Sequence, residues 1–305
     1  MCRYHPGDVT SFTASEFSLD RKALRLAFAR AAERTRSPLA SLQRLNAELL
    51  ERLQYFELEP RHVLDLGAGA GAASLKLRER YRSAQVIAVD FALPMLESVP
   101  HSWWPRARFH RVAADATRLP FTDRSVDLVY SNLLLPFCDR PDQVFQEVAR
   151  VLSERGLFLF STLGPDTLKE LRIAWASADD SAHVSLFPNL PQLGEALMHS
   201  GLVEPVMDTE QYRLHYPDVR ALMRELKDSG AQNSVSTRLR GLTGRGRLST
   251  MLQAYEVDRT ADGIPATFEV ICGAAFGGGS RADGSASNGR EAAFPLASLK
   301  KHIRR

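Results

Sequence analysis

V-L-D-L-G-A-G-A-G, residues Val63 to Gly71, with V-I-A-V-D ending nineteen residues further on at Asp90, is the stretch that decides the fold. The apolar run into Asp65 has the composition of a parallel strand buried on both faces, and Gly67, Gly69 and Gly71 let the backbone turn sharply and come close to a ligand. Asp90, closing the next strand, is placed to accept hydrogen bonds from two ribose hydroxyls. The spacing is G-x-G-x-G, not the G-x-G-x-x-G that aims a helix N-terminus at a pyrophosphate. With Asp65 just ahead of it, the loop suits a nucleoside ligand that has no phosphate and carries an ammonium group, and S-adenosylmethionine (SAM) has both properties. Taken alone, the loop could be a tight strand-to-helix turn that binds nothing; its pairing with the ribose acid argues against that.

Outward from this centre the chain alternates strand and helix. After the strand ending at Asp65 come a helix over Ser74 to Tyr81, the strand to Asp90, a helix around Met95 and a strand from Phe109 to Ala113. Then follow a strand Val126 to Asn132, a helix Gln143 to Leu152 and a strand Leu157 to Thr162. Five strands interleaved with helices predict an α/β protein with a doubly wound, mostly parallel sheet. Upstream, apolar residues from Leu24 to Leu53 recur at three- and four-residue steps, interrupted at Ser37-Pro38, and read as two helices. Downstream the alternation loosens. Helices are expected over Thr167 to Ala176, Pro191 to Ser200, Tyr216 to Asp228 and Leu248 to Arg259, with strands at Pro205 to Asp208 and Thr267 to Gly273. This extra helical material, about 163–200 and 216–262, is expected to cap the carboxyl ends of the strands, where open α/β sheets bind ligands. Residues 1–19 are expected to be poorly ordered, 20–276 to form one domain, and 277–305 to be a Gly/Ser-rich linker with a basic tail.

At 305 residues with 44% hydrophobic and 25% charged residues, the chain has ordinary globular composition and can bury a large core. It has no apolar run of membrane-span length, and the polar start M-C-R-Y-H-P-G-D lacks a signal-peptide core, so a cytoplasmic protein is expected. Cys2, Cys138 and Cys272 are far apart in sequence and indicate neither a disulfide framework nor a zinc site. The net charge of +3 is misleading about nucleic acid. Arg281 to Arg305 holds six Lys or Arg against two acids, which leaves the preceding 280 residues near −1. Phosphate tracking needs the excess on the folded surface, so neither nucleic acid nor membrane is expected as a partner.

Other residues stand where chemistry is needed. Asp115 with Ala116, at the end of the third strand, is positioned for an adenine edge, the carboxylate accepting from the exocyclic amine and the following N–H donating to a ring nitrogen. Ser131, Asn132 and Leu133 end the fourth strand, under the methionine portion of such a ligand. Methyl transfer to an ionised acceptor needs positioning and exclusion of water more than acid–base chemistry. A carboxylate acceptor needs a cation or hydroxyl to orient it, and Arg172, His183, Tyr212, Arg238 and Arg240 are the candidates. The stretch T-R-L-R-G-L-T-G-R-G-R, Thr237 to Arg247, has four arginines and no acid, and reads as either a solvated loop or a docking patch for an acidic partner.

Laid end to end, these residues resemble the malonyl-acyl carrier protein O-methyltransferases of biotin synthesis over about Leu24 to Phe276. Asp65 to Gly71, Asp90, Asp115 and S-N-L at Ser131 to Leu133 are shared widely among class I SAM-dependent methyltransferases. The more specific likeness lies in F-S-T-L-G-P-D-T-L-K-E-L-R (Phe160 to Arg172), D-x-x-H-V (Asp180 to Val184), E-P-V-M-D (Glu204 to Asp208), the helix Tyr216 to Lys227, R-G-L-T-G-R (Arg240 to Arg245) and P-A-T-F-E-V (Pro265 to Val270). The resemblance implies a class I methyltransferase fold with a late cap, and SAM held by Asp65, Gly67, Ala68, Gly69, Gly71, Asp90, Phe91, Asp115, Ala116, Asn132 and Leu133. It implies methylation of the free carboxylate of a malonyl thioester carried on acidic acyl carrier protein, or on coenzyme A, by a monomer that needs no metal. The family usually has a Tyr-Asp pair after the first helix; Thr35 and Arg36 stand there here. That departure leaves open an assembly factor or arginine-hydroxylase-like protein of the same fold, and the cofactor half alone also fits a small-molecule methyltransferase.

Overall fold

A computed structural model of the chain describes residues 18–34, 43–98, 109–239, 241 and 243–278. Thr35, Arg36, Arg240, Cys2 and the basic tail from Arg281 lie outside the described residues. The elements run α1 (Arg21–Arg34), α2 (Gln43–Arg52), β1 (His62–Leu66), α3 (Ala72–Arg80), β2 (Gln85–Asp90), α4 (Leu93–Ser98), β3 (Phe109–Ala113) and β4 (Val126–Asn132). They continue as α5 (Pro141–Val151), β5 (Leu152–Leu163), α6 (Lys169–Ala176), α7 (Leu190–Ser200), β6 (Leu202–Tyr216), α8 (Val219–Asp228), α9 (Arg245–Glu256) and β7 (Ile264–Gly277). One seven-stranded sheet has the order β3-β2-β1-β4-β5-β7-β6. Among the described residues only β7 is reversed, pairing antiparallel with both β5 and β6. The doubly wound, mostly parallel α/β sheet expected from the sequence is present.

Alternation along the central strands builds two cores. Leu64, Leu66, Val129, Phe158 and Phe160 face α5 and α7, meeting Phe145, Val148, Leu193 and Leu197. Val63, Leu128, Tyr130, Leu157 and Leu159 face the other way, onto Leu49, Leu53, Ala73 and Leu77 of the α2 and α3 side. Each fully buried Leu or Phe contributes about 1.5–3 kcal/mol relative to exposure, so this two-sided burial dominates the fold. The same parity decides where Asp65 points. Sharing the face of Val63, it is turned toward α3, where the Ser74 hydroxyl donates to it.

The last two strands are longer than their apolar segments suggest. The sequence marks Pro205 to Asp208 and Thr267 to Gly273, yet β6 extends to Tyr216 and β7 starts at Ile264. β5 ends where Leu163 pairs with Val270, so β7 from Ile264 to Glu269 and the matching part of β6 overhang the carboxyl edge of the sheet. β6 is an edge strand with mostly exposed or half-buried residues, which explains the polar T-E-Q-Y-R-L-H-Y of its outer half. Pro205 sits where the β6–β7 register shifts between Val203 and Val206, a place that tolerates a missing N–H.

The overhang carries the cap. A third core joins Leu168 just before α6, Leu171 and Trp175 of α6, Val219, Leu222 and Leu226 of α8, and Met251 and Tyr255 of α9 to Ile264, Ala266 and Phe268 of β7. α8 begins at an N-cap: the Asp218 carboxylate accepts from Ala221 N–H at 2.8 Å. Buried Glu170 of α6 accepts from both the N–H and the hydroxyl of Thr267, tying the helix to β7. Glu170→Ala strands those two buried donors, and thermal denaturation should register a loss of about 2–4 kcal/mol.

Candidate active site

The glycine loop is fixed to the end of β2 by its own backbone. Gly67 N–H and Ala68 N–H both donate to the Val89 carbonyl, at 2.8 and 3.0 Å. Gly69 N–H donates to one Asp90 carboxylate oxygen at 2.9 Å, and Ala92 N–H to the other at 2.8 Å. Gly67, Gly69 and Gly71 all have positive φ, at 80°, 52° and 77°. At Gly67 a Cβ would lie 2.9 Å from the Leu134 Cβ, so the residue is closed to side chains on packing grounds as well. At Gly69 a Cβ would meet no protein atom within 4 Å.

That open space is part of a cavity of about 730 Å³. Asp65, Gly67 to Ala70, Asp90, Phe91, Asn132 and Leu133 line it, together with residues of α1, α2, α3 and the segment after α8. A smaller lobe of about 90 Å³ is lined by Asp115, Ala116 and Thr117 and shares Gly67, Asp90, Phe91, Leu134 and Phe137 with the larger one. The structure therefore brings the sequence-selected residues of β1, β2, β3 and β4 around one two-lobed space. Gly71 is not in the lining; it turns the chain into α3, its N–H donating to the Ala68 carbonyl at 2.8 Å.

The electrostatics of this space are those of a cation site. Asp65 is 1% exposed, and burial, assisted by repulsion from Asp90 and only partly offset by the Ser74 hydroxyl, pushes its pKa up to about 7. Burial also raises Asp90, against the backbone N–H groups of Ala92, Gly69 and Phe91. Among the described residues neither carboxylate is paired with Lys or Arg. A positively charged ligand between them relieves both penalties, and SAM fits this donor set. Asp115 differs. Burial pushes it up, but Thr117 N–H, the Arg21 guanidinium of α1 and the Thr117 hydroxyl together hold it below the usual carboxylate value.

The acceptor-orienting candidates lie elsewhere. Arg172 braces the turn before α6, donating to the carbonyls of Pro165 and Thr167 at 3.1 and 3.0 Å. His183 stacks on Trp175 at 3.7 Å and hydrogen-bonds Asp179 at 2.8 Å. Tyr212 donates its hydroxyl to Glu48 and Glu210, and burial followed by those acids raises its pKa. Arg238 pairs with Asp20 at 3.0 Å and donates to the Val235 carbonyl. None of these four lines the cavity. The arginine stretch is correspondingly dispersed: Arg238 is consumed internally, Arg247 lies 3.5 Å from Asp179, and Arg245 is exposed.

Sequence reasoning missed the residues that close the space. Phe28 of α1 meets Phe91 and Phe137 edge-on at 5.7 and 4.9 Å, roofing the cavity. Asn46, Leu50 and Glu51 of α2, Lys76 of α3, and Ser229 and Ala231 after α8 complete the wall. Phe28 was visible only as one member of a helical apolar stripe, indistinguishable from a core residue. Leu133 packs against the cap core and lines the cavity, so the cap meets the cofactor lobe through it.

Comparison with known proteins agrees with this geometry. Residues 64–160 match the family model described as a methyltransferase domain. The fold is shared with the crystal structure of the YcgJ protein of Bacillus subtilis, with a TM-score of 0.54 at 19% identity, covering 77% of this chain and 99% of that one. The chain is 44% identical over 271 residues to the malonyl-[acyl-carrier protein] O-methyltransferase of Methylovorus sp. (strain MP688), covering 87% of this chain and 91% of the relative. With that of Gallionella capsiferriformans the identity is 41% over 268 residues, 86% of this chain and 92% of the relative. A match of this extent spans the cap as well as the glycine loop, and the chain belongs to the family of malonyl-[acyl-carrier protein] O-methyltransferases, SAM-dependent enzymes of the class I fold.

Proposed function

We propose that the chain methylates the free carboxylate of a malonyl thioester held on acyl carrier protein, a step in making the pimeloyl moiety of biotin. The observation that carries the reading is a cavity with two buried acids at the glycine loop that no Lys or Arg among the described residues pairs, walled on the acceptor side by the cap that the family members share. SAM, when bound, supplies a methyl group on a sulfonium. Asp65 holds the ammonium of the methionine portion, Asp90 takes the two ribose hydroxyls on the lone pairs left free by Gly69 and Ala92, and the Asp115–Ala116 lobe takes the adenine. Asn132 and Leu133 lie under the methionine portion; the Asn132 side-chain oxygen is fixed by the Ser161 hydroxyl at 2.7 Å.

The acceptor needs no base. A malonyl carboxylate is ionised at neutral pH; one of its oxygens forms the new O–CH₃ bond as the S–CH₃ bond breaks, the electron pair returning to sulfur, and no proton moves. The protein's contribution is alignment and dryness, for which Phe28, Leu134 and Phe137 are the apolar walls. In this reading residues 20–276 act as one catalytic unit, working as a monomer. Among the described residues no helix is long and apolar enough to cross a membrane.

Purified protein given radiolabelled methyl donor and malonyl-acyl carrier protein should yield a base-labile methyl ester, with malonyl-coenzyme A tested alongside. Absence of ester from both, while the donor still binds by calorimetry, would refute the reading.

A further inference from the structure

The helices beside the cavity mouth carry an excess of cations over acids. α1 and α8 pack together at their cavity ends: Gly230, just past α8, seats against Phe28 and Ala31 of α1. Phe28, Ser229 and Ala231 at this junction all line the cavity. The solvent side of α8 presents Arg220, Arg224 and Lys227, at spacings of four and three residues, hence along one face. The solvent side of α1 presents Lys22, Arg25 and Arg30, with Leu26 48% exposed among them. Among the described residues none of these six cations pairs with a carboxylate. Residues 1–280 sum to about −1, so this is local segregation of charge. Some cations elsewhere are matched, as Arg259 is by Glu256 and Arg140 by Asp142.

We propose that the outer faces of α1 and α8 are the docking surface for the acyl carrier protein, which delivers its acyl arm into the cavity at the Phe28–Ser229–Ala231 junction. The inference rests on the proposed substrate and moves the docking surface away from the arginine stretch at 237–247. An acidic carrier complements a surface of six cations that pair with no carboxylate among the described residues, and exposed Leu26 supplies an apolar contact among them. Docking beside the mouth shortens the path of the arm. Steering by such a field acts on encounter with the carrier and leaves the chemistry of a small thioester untouched.

The test compares two acceptors, malonyl-acyl carrier protein and malonyl-pantetheine, which has the thioester but no protein surface. For the triple variant Arg220→Glu/Arg224→Glu/Lys227→Glu, kcat/KM for the carrier-bound substrate should fall about tenfold or more, and malonyl-pantetheine turnover should change less than twofold. Lys22→Glu/Arg25→Glu should act in the same direction, and wild-type KM for the carrier should rise with salt. Arg245→Glu/Arg247→Glu serves as the contrasting pair and should have the smaller effect. Equal losses on both acceptors, no loss on either, or a larger loss from the contrasting pair overturns the docking assignment and leaves the reaction standing. Wild-type protein that methylates neither acceptor overturns the reaction itself, and the docking assignment with it. Wild-type binding to anionic phosphatidylglycerol vesicles that the triple variant loses, with carrier-dependent turnover unchanged, assigns the surface to lipid and likewise overturns it.

Discussion

Asp65→Asn should make the ligand-free protein more stable and at the same time weaken its affinity for SAM. An acid whose folded pKa is raised gives stability that is complete below its unfolded pKa and is lost as pH rises through the folded value. For Asp65 the window runs from about 4, the unfolded value, to about 7. The amide carries no charge and still offers an oxygen to the Ser74 hydroxyl. The stability gap between variant and wild type should therefore open between pH 4 and 7 and stay level above. At about 1.4 kcal/mol for each pH unit, it reaches about 2–4 kcal/mol. Chemical denaturation at pH 5 and pH 8 measures it, and a variant less stable than wild type at pH 8 would show that the carboxylate is not destabilised by burial.

Binding should move the other way. A ligand ammonium requires the ionised carboxylate, so wild-type affinity should weaken as pH falls below about 7, by up to tenfold per unit, with proton release on binding. Asp65→Asn loses this dependence together with about 100-fold in affinity, the order expected for a buried charge-assisted hydrogen bond. Calorimetry in two buffers of different ionisation enthalpy reads both the affinity and the proton count. Stability surrendered at one carboxylate is thus recovered when the cation arrives, a common pattern for acids at binding sites.

What the sequence made legible was the part governed by short-range rules. Glycines at Gly67 and Gly69, an acid closing β2 and apolar alternation in β1, β4 and β5 each have one cheap structural solution, and the strand order follows from βα connections that turn the same way. The overhanging halves of β6 and β7 were not legible, because an edge strand open on one side is written in polar residues and has no apolar signature. Cavity walls such as Phe28, Asn46 and Ser229 escaped for a different reason. They come from helices distant in sequence, and nothing local separates a residue that faces a cavity from one that faces a core. Arg172, His183, Tyr212 and Arg238 illustrate the converse: residue types suited to holding a carboxylate were each taken up by a turn, a stack, two acids or an ion pair.

Gly263→Ala and Gly69→Ala should separate the two halves of the site. Gly263 starts the β6–β7 ladder at its cap end, with φ at 117° and N–H and carbonyl both bonded to Thr260. A Cβ there falls 2.3 Å from the Tyr216 carbonyl oxygen, a backbone atom held by the ladder and unable to swing aside. The substitution should cost about 3 kcal/mol or more, lowering Tm by roughly 6–12 °C for a chain of this size. The strain lies where the cap is anchored, so below Tm methyl transfer to the carrier-bound substrate should fall about tenfold while SAM affinity stays within about twofold. Gly69 reverses the pattern. Its φ of 52° costs alanine only about 1–2 kcal/mol, and its Cβ meets no protein atom. The methyl instead enters the space kept for the cofactor, and SAM affinity should fall at least about tenfold with little change in Tm. Measuring Tm, SAM affinity and turnover on both variants decides the matter, because a cap that merely covered the sheet would make Gly263→Ala lose affinity and turnover together.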